Sequence, residues 1–323
     1  MDRNLALEFV RVTEAAAIEA AHWIGRGDKK KADGAAVNAM RTRLNQIDFS
    51  GTVVIGEGEK DKAPMLYTGE KVGTKKGPVM DLAIDPLECT DSVAYGRYNA
   101  TTVVASGPKG SLLHAPDTYM NKIAVGPQAK KAINLKASVK LNITKVAKAL
   151  DKKVGDVTVV ILDRERHKDL IDQVRRSGAR VRLITDGDVA AAIATCFPES
   201  GIDILMGIGG STEAVLAAVP VKILGGEILC QFVEKNSKIF IPVVARLAER
   251  TNGYTRSNLN CEGYTSEDLA HGKELTFTAT GVIDGPLLSG VIFKKNKAIT
   301  HSLVIRGTSG TIRYITTHHH YYE

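Results

Sequence analysis

Between residues 157 and 233 the chain alternates short, continuously apolar runs with helical ones, and this rhythm restricts the fold more than any other feature. Strands read at 157–162, 180–185, 202–208 and 227–233, with helices at 167–177, 188–197 and 212–224 between them and one at 143–150 ahead. Strands without polar alternation are buried on both faces, and a strand–helix–strand rhythm builds βαβ units. A parallel sheet flanked by helices is therefore expected. The first half reads differently. Helices are expected at 3–26 and 32–44, strands at 52–55 and 79–84, and a meander of short strands at 101–105, 111–114 and 119–125. The tail returns to strands at 275–282, 289–293, 299–306 and 311–316. With 323 residues there is chain enough for two subdomains. The change of rhythm places their boundary near 130–142, giving a first subdomain of α+β character over 1–135 and an α/β subdomain over 136–323.

The net charge of +7 comes from 43 basic and 36 acidic residues scattered along the chain, as on a solvated surface that weakly attracts anions. Nucleic-acid binding needs a basic stripe interleaved with stacking aromatics, which the sequence lacks. No apolar run approaches the ~20 residues of a membrane span. Cys89, Cys196, Cys230 and Cys261 show neither the spacing of a zinc ribbon nor that of a disulfide framework, and the first residues read as an amphipathic helix, so a reducing cytosol is expected.

Chemistry is densest in Asp81-Leu82-Ala83-Ile84-Asp85-Pro86-Leu87-Glu88-Cys89-Thr90-Asp91. An apolar run ends in Asp-Pro, and proline biases Asp85 toward extended backbone. Carboxylates of Asp85 and Glu88 at a strand end are hard oxygen ligands of the kind a divalent cation takes, and Thr90 is close enough in sequence to orient a water. A polar surface turn has the same composition.

Other places carry similar ambiguity. Asp33 lies in the first turn of the helix expected at 32–44, where a carboxylate also suits the dipole. Glu57, between Gly56 and Gly58 after a buried strand, fits a ligand or a solvated loop residue. Glu213 follows the glycine-rich turn Gly207-Ile208-Gly209-Gly210 at the start of a helix and is either a ligand or an ordinary helix-start carboxylate. In Asp163-Arg164-Glu165-Arg166-His167, the two arginines can chelate a phosphate or form local ion pairs. Asp186-Gly187-Asp188 can hydrogen-bond sugar hydroxyls or cap the next helix. The loops at 163–167, 186–188 and 209–213 all follow strands, so one carboxyl edge of a parallel sheet would collect them, where such sheets bind ligands.

Taken together these motifs resemble the class II fructose-1,6-bisphosphatases (the GlpX-type family), within the lithium-sensitive, metal-dependent phosphatase superfamily. The resemblance runs through Gly25-Arg26-Gly27-Asp28-Lys29 with Asp33, Thr52-Val53-Val54-Ile55-Gly56-Glu57-Gly58-Glu59, Ala63-Pro64-Met65-Leu66-Tyr67, Asp85-Pro86-Leu87-Glu88, Tyr119, the Asp163 segment and Asp186-Gly187-Asp188-Val189. It implies a layered α-β-α-β-α sandwich of two packed subdomains. It implies metal ligands Asp33, Glu57, Asp85, Glu88 and Glu213 for magnesium or manganese, and substrate contacts from Glu88, Cys89, Thr90, Tyr119, Arg164, Glu165, Arg166, Asp186, Gly187, Asp188 and Gly210. Asp85, Thr90 and Glu213 would serve catalysis, with Thr90 positioning the attacking water. The implied reaction is hydrolysis of the 1-phosphate of fructose 1,6-bisphosphate, a gluconeogenic step, by a cytoplasmic homo-oligomer, dimer or tetramer.

Departures from the family pattern fall near this chemistry. Cys89 stands where glycine is usual, Ser211-Thr212-Glu213-Ala214 replaces Ala-Pro-Glu-Gly, and Tyr95, Arg97 and Tyr98 replace smaller residues. A dual fructose/sedoheptulose bisphosphatase and a catalytically weakened sugar-phosphate-binding homologue are the alternatives.

Overall fold

The longest helices and strands of the structure follow the apolar patterning of the sequence, and two separate cores result. A computed structural model describes residues 5–58, 65–233 and 263–321. Glu59, Ala63, Pro64, Cys261 and most of the polar segment from 251 onward lie outside the described residues. The chain divides into one unit of residues 1–113 and 271–323 and another of 114–270. The expected division at 135/136 differs because the C-terminal strands pair with a strand of the first unit.

In the first unit, helices α1 (Leu5–Ala21) and α2 (Lys29–Leu44) cover a mixed sheet. Its strands are β1 (Ser50–Ile55), β2 (Lys71–Val72), β3 (Val79–Glu88) and β4 (Ala100–Pro108), with helix α3 (Thr90–Tyr95) between the last two. Strand β5 (Tyr119–Val125) and everything up to residue 270 belong to the other unit. Strands β10 (Thr276–Ile283), β11 (Ile292–Lys294), β12 (Lys297–Arg306) and β13 (Thr311–His320) complete the first sheet in the order β11-β12-β10-β4-β3-β1-β2, with β13 on β12. Phe9, Met40, Leu44, Phe49 and Leu82 are fully buried in its core, with Phe9 and Phe49 edge to face at 5.4 Å. Aromatic pairs of this geometry add to plain area burial. The first helical segment ends at Ala21, short of the expected 26, and the turn that follows runs through Gly25 and Gly27, both at positive φ.

Two sequence expectations change here. The strand expected at 79–84 runs on to Glu88, through a register shift between Asp85 and Glu88. Pro86 has no N–H to give the ladder, so pairing to β4 lapses and resumes at Glu88 opposite Thr101. Residues 111–114 form no strand, while α3 and β2 were not expected.

The second unit contains β5, helix α4 (Val139–Ala149), β6 (Thr158–Leu162), α5 (Lys168–Ser177), β7 (Arg180–Ile184), α6 (Asp188–Ala194), β8 (Ile204–Gly210), α7 (Ser211–Ile223), β9 (Glu227–Phe232) and α8 (Ser266–Leu269). Its sheet order is β7-β6-β8-β5-β9. β6 pairs parallel with β7 and β8, as the rhythm predicts. β5, however, inserts antiparallel between β8 and β9, so the sheet is mixed. Its pattern gave no direction, because antiparallel insertion is decided by where an upstream strand docks. Val159, Ile161, Ile204, Ile143 and Val174 form the buried core of this unit. Both sheets are open and carry helices, the α/β composition expected. Among the described residues no helix is long and apolar enough to cross a membrane. Cys89, Cys196 and Cys230 are free thiols.

Candidate functional site

Two carboxylates of the first unit lie at matching positions along neighbouring strands. β1 and β3 are parallel neighbours with Ile55 opposite Ala83, so Glu57 and Asp85 each lie two residues further along at the same carboxyl ends. Gly56 makes the exit of β1 possible. A Cβ there would stand 2.1 Å from the Leu66 carbonyl oxygen, which accepts the Glu57 N–H at 3.0 Å. The Leu66 N–H in turn donates to the buried Glu70 carboxylate, itself held by Arg41 at 2.6 Å. Asp33 is in the second turn of α2 and not the first. Asp28 is the N-cap, its Oδ1 accepting the Lys31 N–H at 3.0 Å.

Burial and then the charge of Asp33 push the Glu57 carboxyl up to about 7, and burial alone raises Asp33. Desolvated like charges disfavour ionisation. Among the described residues no group of three or more His, Cys, Asp or Glu side chains is gathered to hold a metal ion. The pair nonetheless fits one: hard oxygen donors with uncompensated charge are what a divalent cation relieves.

The sign of the resulting pH dependence is fixed. A folded-state pKa above the unfolded value of 4.5 gives Glu57 a stabilising contribution that is complete below 4.5 and lost as pH rises to about 7. A cation must displace that proton, so Mn2+ affinity measured calorimetrically is expected to rise about tenfold per pH unit below 7 and then level off. Affinity independent of pH between 5.5 and 7.5 would remove Glu57 from the ligand set.

Asp85 Oδ1 accepts the Leu87 N–H at 3.0 Å, closing the turn after Pro86. Glu88 is buried, and its Oε2 accepts from Thr101 Oγ1 at 3.0 Å. Cys89 follows at φ 72° and ψ 50°, the left-handed region, as the residue before α3. Its carbonyl accepts the N–H groups of Ser92 and Val93, and Thr90 opens the helix. A side chain in that conformation costs about 1 kcal/mol, and glycine has a backbone-entropy cost of similar size. Cys89→Gly is therefore expected to change unfolding free energy by less than about 1 kcal/mol, whereas β-branched Cys89→Val should lose about 2 kcal/mol or more. Equal midpoints for both in urea unfolding would refute the left-handed geometry.

The second unit assembles its part around the end of β8. Tyr119 pairs with Gly210, and Arg166 stacks over the Tyr119 ring at 5.3 Å while donating from Nε and Nη2 to the Ile208 carbonyl at 3.1 and 2.8 Å. His167 braces this loop. Its Nδ1 lies 2.8 Å from the Leu162 carbonyl oxygen and its Nε2 accepts the Ile208 N–H at 2.8 Å, which fixes the ring as neutral with the proton on Nδ1. Burial holds its pKa below the ordinary value. Arg164 and Glu165 are exposed, Glu165 pairing with Lys168 at 2.6 Å, so of the two arginines only Arg166 is built into the fold.

Asp188 does not cap α6. Gly187, at φ 86°, occupies the cap position, and the Asp188 carboxylate pairs with Lys122 at 2.8 Å. Asp186 Oδ1 accepts the Gly187 N–H at 3.2 Å. Glu213 is partly buried, its carboxyl pushed up mainly by loss of solvent and drawn down by Lys122, and Thr212 Oγ1 donates to it at 2.8 Å. The glycines of the turn make room for these carboxylates. A Cβ at Gly209 would stand 2.0 Å from Asp188 Oδ2, and one at Gly210 1.8 Å from Glu213 Oε2. Ser211 is buried and bonds the 116–118 loop, donating to the Pro116 carbonyl and accepting the Thr118 N–H at 3.0 Å.

The structure thus brings Asp33 to Glu57, sets Asp85, Glu88, Cys89 and Thr90 along one turn, and gathers Tyr119, Arg166, Asp188, Gly210 and Glu213 around another. Sequence reading missed Lys122 and His167. A lysine directly ahead of the apolar run Ile123-Ala124-Val125 in an expected strand was the available signal for Lys122.

Similarity to known proteins is extensive. The sequence pattern of the family described as "Bacterial fructose-1,6-bisphosphatase, glpX-encoded" matches residues 3–319. The chain is similar to fructose-1,6-bisphosphatase 1 class 2 of Escherichia coli K12, and to fructose-1,6-bisphosphatase class 2 of Escherichia coli O6:H1 and of Shigella flexneri. Each is 46% identical over 329 aligned residues, covering 99% of this chain and 96% of the relative. An extragenic suppressor from Pyrococcus furiosus matches with a TM-score of 0.31 and 12% identity over 59% of this chain and 69% of that one, too slight to bear on the fold.

Proposed function

The chain belongs to the class II, GlpX-type fructose-1,6-bisphosphatase family, and we propose accordingly that it hydrolyses the 1-phosphate of fructose 1,6-bisphosphate to fructose 6-phosphate and inorganic phosphate. The observation that carries this reading is 46% identity along 99% of the chain to proteins named for that activity.

In this reading Asp33, Glu57, Asp85, Glu88 and Glu213 hold magnesium or manganese. When bound, the metal polarises phosphoryl oxygens, supplies hydroxide at neutral pH and stabilises the leaving alkoxide. The chain's own groups do the rest. Thr90, at the start of α3, orients the attacking water. Arg164 and Arg166 hold the distal phosphate, and Arg166 does so from a guanidinium already fixed by Ile208 and Tyr119. Glu165 lies between them. Tyr119, Asp186, Gly187, Asp188 and Gly210 contact the sugar and its phosphate, and Cys89 lines the turn that carries Thr90. A cytosolic homo-oligomer, dimer or tetramer, completes the proposal.

Purified protein with Mg2+ or Mn2+ should release phosphate from fructose 1,6-bisphosphate, and a chelator should stop it. Equal or faster release from sedoheptulose bisphosphate would make it a dual enzyme. Binding of the bisphosphate without release of phosphate would establish a binding homologue instead, a reading favoured only by the left-handed Cys89 where the family has glycine.

A further inference from the structure

One buried cation stands apart from the groups assigned above. Lys122 lies mid-strand in β5, opposite Gly207 of β8 and Cys230 of β9, with its side chain 2% exposed. An ammonium at that depth persists only against carboxylates. Asp188 supplies the first, at 2.8 Å from Nζ and 9% exposed, and the field of the partly buried Glu213 adds to it. The turn above is kept bare for them, since a Cβ at Gly209 would meet Asp188 Oδ2 at 2.0 Å and Lys122 Nζ at 3.0 Å.

Stability alone does not account for this arrangement. A buried ion pair is often no more stable than apolar residues of the same volume, so a pair placed inside an apolar sheet needs another reason. The reason at hand is orientation. Asp188 opens α6 directly after Gly187 at φ 86°, in a position where its carboxylate does not cap its own helix. Lys122 reaches it from a strand two positions away in the sheet from β6.

We propose that Lys122 is a positioning residue of the sugar-phosphate site, its buried ammonium fixing the Asp188 carboxylate beneath the turn of Gly209 and Gly210 so that the 186–188 loop is formed before substrate arrives. This rests on the bisphosphatase reading, which makes Asp188 a sugar contact.

The test is calorimetric titration of the full-length Mg2+-loaded protein with fructose 6-phosphate, beside steady-state kinetics, for wild type, Lys122→Met and the paired Lys122→Met/Asp188→Asn. Lys122→Met is expected to weaken fructose 6-phosphate binding about 10- to 100-fold and to raise KM by a similar factor, with kcat changed far less. A merely structural lysine would lower the active fraction and leave KM where it was. If Lys122→Met fails to fold, the paired variant, which leaves neither partner of the pair as an orphaned charge, is expected to fold and still to bind weakly. Binding at wild-type affinity by Lys122→Met overturns the inference alone, and binding at wild-type affinity by the paired variant overturns it together with the sugar contact assigned to Asp188. Wild-type protein that takes up no fructose 6-phosphate and releases no phosphate overturns the bisphosphatase reading, and this inference with it.

Discussion

Asp85→Asn is expected to lower kcat for fructose 1,6-bisphosphate about 10³-fold, or about 4 kcal/mol of transition-state stabilisation, while the melting temperature stays within about 3 °C of wild type. Asparagine keeps an oxygen to accept the Leu87 N–H, the 3.0 Å bond that closes the turn after Pro86. It removes only the negative charge. Asp85→Ala removes both, so it should show the same kinetic loss together with a stability loss of about 1 kcal/mol. The comparison separates a carboxylate used by a cation from one used by the backbone. If Asp85→Asn turns over substrate within about tenfold of wild type, Asp85 is not a metal ligand and its role ends at the turn.

Gly210→Ala carries the second large effect. The backbone there, at φ −64° and ψ 147°, suits alanine, so no conformational strain enters. The obstacle is the added methyl, whose carbon would stand 1.8 Å from Glu213 Oε2 and 2.6 Å from its Cδ. Because the obstructing atoms are the end of a side chain, the fold can accommodate the methyl by turning the carboxylate aside, at about 1–3 kcal/mol. A displacement of that kind at a reacting centre costs about 10²-fold in rate. Phosphate release and urea unfolding, measured with Gly155→Ala as a control at a glycine whose added Cβ would meet nothing nearer than 3.8 Å, decide the matter. Full activity in Gly210→Ala would show that the orientation of Glu213 is immaterial to turnover.

Much of the fold was legible because its cause is local. Apolar runs at 157–162 and 202–208 became β6 and β8, and Gly25 and Gly27 took positive φ in the turn between the first two helices. The direction of β5 was not legible, since nothing in Tyr119–Val125 distinguishes a strand that continues a meander from one that slots between β8 and β9. Nor was the return of β10 to β4, which moved the C-terminal strands to the first unit.

The site divides in the same way. Asp85 and Glu88 are marked by their proline-bounded spacing, and Glu57 by its flanking glycines, because backbone freedom and ligand chemistry are properties of neighbouring residues. The raised pKa of Glu57 is not, since it comes from burial and from Asp33 across the sequence. Sequence alone marked Gly209 and Gly210 as part of the glycine-rich turn that leads into the helix of Glu213. Tertiary structure shows that they also leave room for the Asp188 and Glu213 carboxylates. The residue types, and hence the chemistry on offer, were set by the sequence. Which carboxylate is paired with Lys122, which arginine is anchored to Ile208, and which glycines could not bear a methyl were decided only by folding, because each depends on groups well separated along the chain meeting within a few ångströms.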